Sequence, residues 1–154
     1  MGRKTFLLSL ILVVLLSQAC AEETVEASLK TPKKQTIETY EALEDALLSG
    51  KPVVALFHTT KGCACTLKRC KTSIVLVDDY MESLAADLAY VRVDIGINRQ
   101  QGKNYKIFGA PTVVFFDSAG NEVKRLNSWE IKVEIIDPIL SEISKSANEP
   151  KTEK

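Results

Sequence analysis

Three cysteines, Cys63, Cys65 and Cys70, lie within eight residues of one another, directly after an apolar segment and a glycine. Clustered thiols support two kinds of chemistry. A thiolate can attack a disulfide and form a mixed disulfide, which a second thiol then releases. Thiolates and imidazole together bind Zn²⁺ or Cu⁺, and the sole histidine, His58, lies five residues before Cys63. Both chemistries are therefore hypotheses for this segment.

The spacing of the cysteines restricts which pair could form a disulfide. At about 100° per residue, Cys63 and Cys65 inside one helix would point to nearly opposite faces, and Cys65 and Cys70 would lie about 140° apart. Cys63 and Cys70 would share a face but lie about 10 Å apart along the axis. A disulfide tolerates only about 7 Å between Cα atoms. We therefore expect residues 62–64 to form a loop before the helix, which Gly62 makes easy.

Cys63 is the predicted nucleophile. At the start of the helix its sulfur would lie at the positive end of the helix dipole and two residues after Lys61, and both features lower a thiol pKa. Cys65 is the predicted resolving thiol because a loop allows a small Cys-x-Cys ring, and Cys70 is the second candidate. The alternatives are a structural disulfide between Cys63 and Cys65 and an apolar packing role for Cys70.

Alternating strands and helices must position these residues. The predicted strands span 53–58, 90–95 and 112–117, each rich in apolar residues, and 122–126, which follows a hairpin turn at 117–121. The predicted helices span 40–49, about 65 to 89, a short stretch within 98–108, and a last helix capped by Ser128 with Ile131, Ile135, Ile139 and Ile143 among its apolar residues. Pro138 predicts either a kink in this helix or a restart with Asp137 as its cap. The order indicates an α/β protein with a central mixed sheet flanked by helices.

Two motifs in this order resemble the thioredoxin family. An apolar strand runs through Phe57 into the cysteine cluster, and Gly109-Ala110-Pro111-Thr112 leads into the strand at 112–117. The resemblance spans roughly residues 37–145 and implies a thioredoxin-like fold with a cis peptide bond before Pro111, facing the cysteines. It also implies that Ala110 and Pro111 bind an extended substrate segment by short strand addition.

The cysteine motif departs from the family pattern, in which Cys-x-x-Cys follows this strand. A gap-free match places Gly62 on the nucleophilic cysteine and Cys65 on the resolving one. A one-residue insertion instead makes Cys63 the nucleophile of a shortened Cys-x-Cys. Leu56 also holds the place of the buried aspartate that assists the resolving cysteine in thioredoxin. The sequence therefore supports the fold more strongly than it supports thioredoxin's reaction.

These motifs predict a thiol–disulfide oxidoreductase that acts on protein thiols and disulfides, contributes to cell redox homeostasis, functions as a monomer and needs no cofactor. The competing hypothesis is a binding module, either a redox-inert interaction domain or a Zn²⁺ or Cu⁺ site formed by His58, Cys63, Cys65 and Cys70. The chain carries 20 basic and 20 acidic residues. Its sequence has no stripe of basic residues that would form a positively charged surface for nucleic acid.

The N-terminal segment predicts export. Residues 1–21 combine a short basic start, an apolar run from Phe6 to Leu16 that is too short to span a bilayer, and small residues that suit cleavage before Glu22. The alternative is lipoprotein processing, in which a lipidated Cys20 anchors the protein to the membrane. Both routes lead to an oxidising compartment such as the periplasm, where disulfides persist.

The predicted organisation follows from this assignment. It consists of a signal peptide at 1–21, a polar tether at 22–36, a thioredoxin-like domain at 37–146 and a disordered tail at 147–154.

Overall fold

The computed structural model describes residues 37–148, so the predictions for the signal peptide, Cys20, the tether and residues 149–154 lie outside the described residues. The elements in chain order are β1 (Glu38–Tyr40), α1 (Leu43–Leu48), β2 (Val53–His58), α2 (Ala64–Ser83), β3 (Ala89–Asp94), α3 (Arg99–Asn104), β4 (Thr112–Phe116), β5 (Glu122–Asn127) and α4 (Val133–Asn148). None of the described helices is long and apolar enough to cross a membrane.

One five-stranded sheet organises these elements, in the strand order β1-β3-β2-β4-β5. β1 and β2 both pair in parallel with β3. β4 pairs antiparallel with β2, and β5 pairs antiparallel with β4. The predicted α/β class with a central mixed sheet is therefore confirmed.

The strand register brings four strand ends to one edge of the sheet. His58 pairs with Asp94, so β2 and β3 end side by side. Thr112 pairs with Phe57 on one side and with Asn127 on the other, so β4 begins where β2 and β5 end. The loop that leads from β2 to Cys63 and the loop before β4 therefore leave the sheet at the same edge.

The central strand β2 is buried on both faces, as its uninterrupted apolar run predicts. On one face, Leu56 packs in a cluster with Val77 of α2 and Ile136 of α4. On the other face, Phe57 packs in a cluster with Leu43 of α1. Burial on both faces fixes the position from which the chain enters the cysteine segment.

Two early helix boundaries differ from the sequence-based predictions. The helix expected over 40–49 begins at Leu43, because Tyr40 belongs to β1, a strand that the sequence did not predict. α2 ends at Ser83 instead of near Ala89, because Ala89 pairs with Val53 in the sheet. In both places, residues whose apolar spacing predicts a helix pair with a neighbouring strand in the sheet instead.

The last helix also differs from its prediction. It begins at Val133, so Ser128 is not its cap, and it runs through Pro138 to Asn148. The predicted restart at Asp137 is therefore wrong. Asp137 instead accepts a hydrogen bond of 2.6 Å from the Tyr80 hydroxyl, which joins α4 to α2.

Candidate active site

Cys63 is the N-cap residue of α2 and has an extended backbone. Its carbonyl oxygen accepts a hydrogen bond of 3.1 Å from the backbone N–H of Leu67, the first hydrogen bond of the helix. The preceding Gly62 has a φ of 155°, in the region that glycine adopts most readily. Cys63 thus lies outside the helix as predicted, whereas Ala64, which was expected in the loop, is the first helical residue.

The exposed sulfur of Cys63 is surrounded by hydrogen-bond donors. Cys63 Sγ lies 3.2 Å from Thr66 Oγ1. Hydrogen bonds from the Cys65 side chain, and then from the side chain and backbone N–H of Thr66, lower the pKa of Cys63 to about 6. The two side-chain donors have larger effects than the backbone N–H of Thr66, in keeping with the absence of a side-chain capping hydrogen bond of regular geometry at Cys63. The thiol is therefore largely ionised at neutral pH, and the hydrogen bonds from Cys65 and Thr66 are a cause that the sequence did not indicate.

The other two cysteines lie on α2 and differ in accessibility. Cys65 is exposed at the second helical position, whereas Cys70 is 2% exposed. Burial raises the pKa of the Cys70 thiol. Along one helix the two side chains point about 140° apart. The thiol that neighbours Cys63 is therefore Cys65.

Thr66 occupies the third position after Cys63, where a Cys-x-x-Cys motif has its second thiol. The residue type alone predicts no role for it, since a threonine near a helix start is common. Only the contact between its hydroxyl and the Cys63 sulfur reveals it as a member of the site.

Valine in place of Thr66 removes this donor while keeping a branched side chain of similar size. The pKa of Cys63 is expected to rise from about 6, because the thiolate loses a hydrogen bond that stabilises its charge. At about pH 6, a tenfold weaker acid would show about a fivefold smaller thiolate fraction. The ultraviolet absorbance of the thiolate during a pH titration measures this change. Thr66→Ser keeps the hydroxyl and should titrate like the wild type, whereas an unaltered titration of Thr66→Val would exclude the hydroxyl as a donor.

The loop between β2 and α2 is fixed to the end of β3 by Asp94. The Asp94 carboxylate accepts hydrogen bonds from the Thr60 backbone N–H at 3.3 Å, the Thr60 hydroxyl at 2.5 Å and the Gly96 backbone N–H at 2.8 Å. Burial alone would raise the pKa of Asp94, but these hydrogen bonds hold it below its ordinary value. An ionised Asp94 therefore holds the loop that leads to the nucleophile.

The Thr59 hydroxyl closes the same loop on itself. It donates a hydrogen bond of 2.7 Å to the Lys61 carbonyl and accepts one of 3.1 Å from the Lys61 backbone N–H. Gly96 lies directly against this arrangement. A Cβ atom on Gly96 would lie 2.5 Å from Thr59 Oγ1 and 3.0 Å from Asp94 Oδ1. The absence of a side chain at this position therefore lets β3 and the loop approach each other.

Alanine in place of Gly96 should force the loop to move. We expect the free energy of unfolding to fall by about 1–3 kcal/mol, the usual cost of inserting a methyl group where there is no room. Urea denaturation measures the stability, and the alkylation rate of Cys63 reports the displaced loop. Gly109→Ala is the matched control, since its added Cβ would have no such neighbour within 4 Å. Equal losses of stability in the two variants would contradict the role given to Gly96.

His58 ends β2 beside this loop. Its side chain is half-buried, and this burial lowers the pKa of His58. The negative charge of Asp94 acts in the opposite direction but does not cancel the shift. Among the described residues, its Nδ1 atom has no hydrogen-bond partner. The backbone carbonyl of His58 accepts a hydrogen bond of 2.9 Å from the N–H of Ile95.

The predicted metal ligands do not form a metal centre in this arrangement. Within residues 37–148, no group of three or more histidine, cysteine, aspartate or glutamate side chains is placed to hold a metal ion. His58, Cys63, Cys65 and Cys70 therefore do not fit a shared Zn²⁺ or Cu⁺ ion without rearranging. Metal binding by these residues stays a prediction, which elemental analysis of the reduced protein can test.

The loop before β4 contains the predicted cis peptide bond, between Ala110 and Pro111. Pro111 is buried and Ala110 is half-buried. The Thr112 hydroxyl donates a hydrogen bond of 2.8 Å to the Gly109 carbonyl, which closes the turn into β4. The strand register places this turn at the sheet edge from which the chain leads to Cys63. The role of Ala110 and Pro111 in substrate binding stays a prediction.

Comparison with known proteins shows that the fold of this chain is similar to that of thioredoxins. No protein-family model matches the chain. The thioredoxins of Mycobacterium bovis and Mycobacterium tuberculosis are 29% identical to it over 96 residues, which cover 61% of this chain and 78% of theirs. The structure of Fasciola hepatica thioredoxin has a TM-score of 0.55 at 19% identity and covers 71% of this chain and 98% of its own. Schistosoma mansoni thioredoxin has a TM-score of 0.54 at 20% identity, with 71% and 96% covered.

Proposed function

Since this chain is a thioredoxin-like protein with an atypical Cys-x-Cys motif, we propose that it is an exported thiol–disulfide oxidoreductase acting on protein disulfides. The observation that carries the proposal is the exposed Cys63 sulfur, whose pKa is lowered to about 6 by hydrogen bonds from Cys65 and Thr66. Such a thiolate attacks disulfides at neutral pH. A second thiol within reach allows the enzyme to complete the exchange.

The reaction proceeds in two exchanges. The Cys63 thiolate attacks one sulfur of the substrate disulfide, so that a bond forms between Cys63 and the substrate and the other substrate sulfur leaves as a thiolate. Cys65 then loses its proton and attacks Cys63, which forms the Cys63–Cys65 disulfide and releases the second substrate thiolate. Two electrons pass from the two cysteines to the substrate. The same steps in reverse oxidise a substrate dithiol.

The position of Cys63 makes the second exchange feasible. Because Cys63 lies outside the helix, its backbone can turn toward Cys65 without breaking a helical hydrogen bond of its own N–H. Two residues apart, their Cα atoms lie no farther apart than about 7 Å, which a disulfide can span. The resulting small ring is strained, and a strained disulfide is the more easily reduced.

Exposed apolar side chains near Cys63 support a polypeptide substrate. Phe108, in the loop before Pro111, is 98% exposed, and Ile97, in the loop after β3, is 73% exposed. Both loops lie at the sheet edge that carries Cys63. Exposed apolar groups beside a reactive thiol suit an extended chain, for which the Ala110 backbone offers hydrogen-bonding groups.

Turnover of insulin and of a small neutral disulfide by the purified mature protein tests this function. With dithiothreitol as the electron donor, the protein should accelerate insulin reduction, and it should reduce 2-hydroxyethyl disulfide in a coupled assay. Activity toward neither substrate would contradict the proposal and would favour a redox-inert interaction domain.

The proposed export rests on the sequence of residues 1–21. Intact-mass measurement of the protein recovered from expressing cells distinguishes the two routes. Cleavage before Glu22 leaves an unmodified chain, whereas lipoprotein processing leaves an acylated Cys20. A full-length chain that retains Met1 and remains inside the cell would contradict export.

A further inference from the structure

The first half of α2 and the loop before it carry positive charge only. Between Thr59 and Val77 there are four basic residues and no acidic one. The four are Lys61, Lys68, Arg69 and Lys71, all exposed, and we call them the basic patch. The acidic residues of α2 are confined to its second half, at Asp78, Asp79 and Glu82.

This distribution opposes the helix dipole. Acidic side chains stabilise a helix near its N-terminus and basic ones near its C-terminus. In α2 the first turn contains no acidic residue and the last turn no basic one. Helix stability therefore does not account for the basic patch, and a local pattern that conflicts with stability is expected at functional sites.

The basic patch is also free of acidic partners within the described part of the chain. The salt bridges there join other residues, namely Lys51 with Asp87, Arg92 with Asp78, and Arg125 with Glu122. The Asp94 carboxylate, at the same sheet edge, is occupied by hydrogen bonds from Thr60 and Gly96. The four basic residues therefore have no ion-pair partner among residues 37–148, and the single negative charge of Asp94 offsets only part of their positive charge.

The basic patch adjoins both exposed thiols. Lys68 and Arg69 follow Cys65 by three and four residues, which makes them its neighbours on the next turn, about 5–6 Å away between Cβ atoms. Lys61 precedes Cys63 by two residues. Because the whole chain has a formal net charge of +0, the positive potential around the thiols is a local feature of this surface.

We propose that the basic patch binds acidic side chains that flank the disulfide of a protein substrate. The inference rests on the proposed function and adds the chemistry of the substrate. From Cys65 to Lys71 the helix rises about 9 Å, which matches about three residues of an extended chain. Positive charge that reaches this far from the thiol suits an acidic segment of a polypeptide better than a single small anion. Charge complementarity of this kind accelerates the encounter that precedes disulfide exchange.

Three peptides that contain the same disulfide, flanked by glutamate, glutamine or lysine, test the proposal. With the full mature protein at low ionic strength, the rate constant should be largest for the glutamate peptide and smallest for the lysine peptide. We expect at least about a tenfold difference between these two, the lower end of measured electrostatic steering. The difference should shrink at about 1 M salt, where the screening length falls to about 3 Å.

A charge-reversed variant and a matched control locate the effect. In Lys68→Glu/Arg69→Glu, two positive and two negative charges remain at these four positions, so the ratio of the glutamate to the lysine rate constant should fall to about one. The control, Lys124→Glu/Lys145→Glu, makes the same change in net charge at exposed positions on β5 and in the last turn of α4. Its ratio should match the wild type. Because the ratio is taken within one variant, any change in thiol reactivity cancels.

The outcomes separate this inference from the proposed function. Turnover that is independent of flanking charge, or an equal response of the two variants, would overturn the basic patch as a binding surface. If the rate constant for oxidised glutathione depended more strongly on the basic patch than the rate constant for the glutamate peptide does, a polypeptide would be overturned as the ligand of the patch. If no peptide turned over, the proposed function would be contradicted, and the affinity of the glutamate peptide, measured by fluorescence anisotropy, would still decide the role of the patch.

Discussion

Serine in place of Cys63 is expected to reduce disulfide turnover to the uncatalysed background, a loss of at least about 10³-fold, because the covalent intermediate can no longer form. The thiolate with its pKa of about 6 is replaced by a hydroxyl that stays protonated at neutral pH. The fold should be unaffected, since Cys63 is an exposed N-cap residue and serine is among the preferred N-cap residues. Insulin reduction and 2-hydroxyethyl disulfide reduction measure the loss, and circular dichroism checks the fold.

The pH dependence of the wild type gives this experiment an internal control. Reactivity toward an alkylating reagent should rise as the pH passes through about 6 and level off above it, because the thiolate is the reactive form. The same transition should disappear in Cys63→Ser. Turnover or a transition near this pH that survives the substitution would remove Cys63 as the nucleophile.

The sequence was sufficient to predict the central part of the fold. Val53 to Phe57 form an uninterrupted apolar run, and only a strand covered on both faces needs one. β1 escaped prediction because three residues are too few to show a period. Of the apolar residues predicted for the last helix, Ile131 and Ile143 are buried and Ile139 packs against the core, but Ile135 is exposed, and Ile136 and Leu140 lie on the buried face instead. The start of the helix at Val133 and its packing against α2 decide that face, and neither is visible locally.

The site was predictable as far as its thiols and the cis peptide bond before Pro111. The clustering of the thiols in sequence marks Cys63 and Cys65 as reactive candidates. Their supporting groups come from distant parts of the chain, as shown by the hydrogen bond from Thr60 to Asp94, which joins residues separated by 34 positions. Thr66 lies nearby in sequence, but its role depends on Cys63 capping the helix. A cysteine in place of Thr66 would have completed a Cys-x-x-Cys motif and identified the position as part of the site, whereas a threonine there gives no such signal.

The placement of Thr66 also bears on how the mixed disulfide is resolved. With a hydroxyl at the third position after Cys63, the thiol usually found there is missing. The remaining candidates differ in access, because Cys65 is exposed and Cys70 is 2% exposed. Burial raises the pKa of Cys70, which lowers its thiolate fraction at neutral pH. Both features favour Cys65 as the resolving thiol.

Serine in place of Cys65 is therefore expected to trap the enzyme as a mixed disulfide with its substrate. Cys63 still attacks the substrate, but the second exchange must wait for an external thiol. The rate of multiple turnover should therefore fall by about 10²-fold or more, because an intramolecular thiol held in position reacts much faster than an external one. Mass spectrometry of the unreduced reaction mixture should show the Cys63–substrate adduct accumulating.

The matched variant is Cys70→Ala, which removes the only other candidate thiol on α2. Its turnover should stay within about threefold of the wild type, because loss of one small buried group changes stability more than chemistry. Accumulation of the adduct in Cys70→Ala instead of Cys65→Ser would assign resolution to Cys70. That result would require the first turns of α2 to unwind during the reaction, because Cys63 and Cys70 are otherwise separated by about 10 Å along the helix and Cys70 is covered by its neighbours. Amide exchange over the first turns of α2 would then be faster in the mixed disulfide than in the reduced protein.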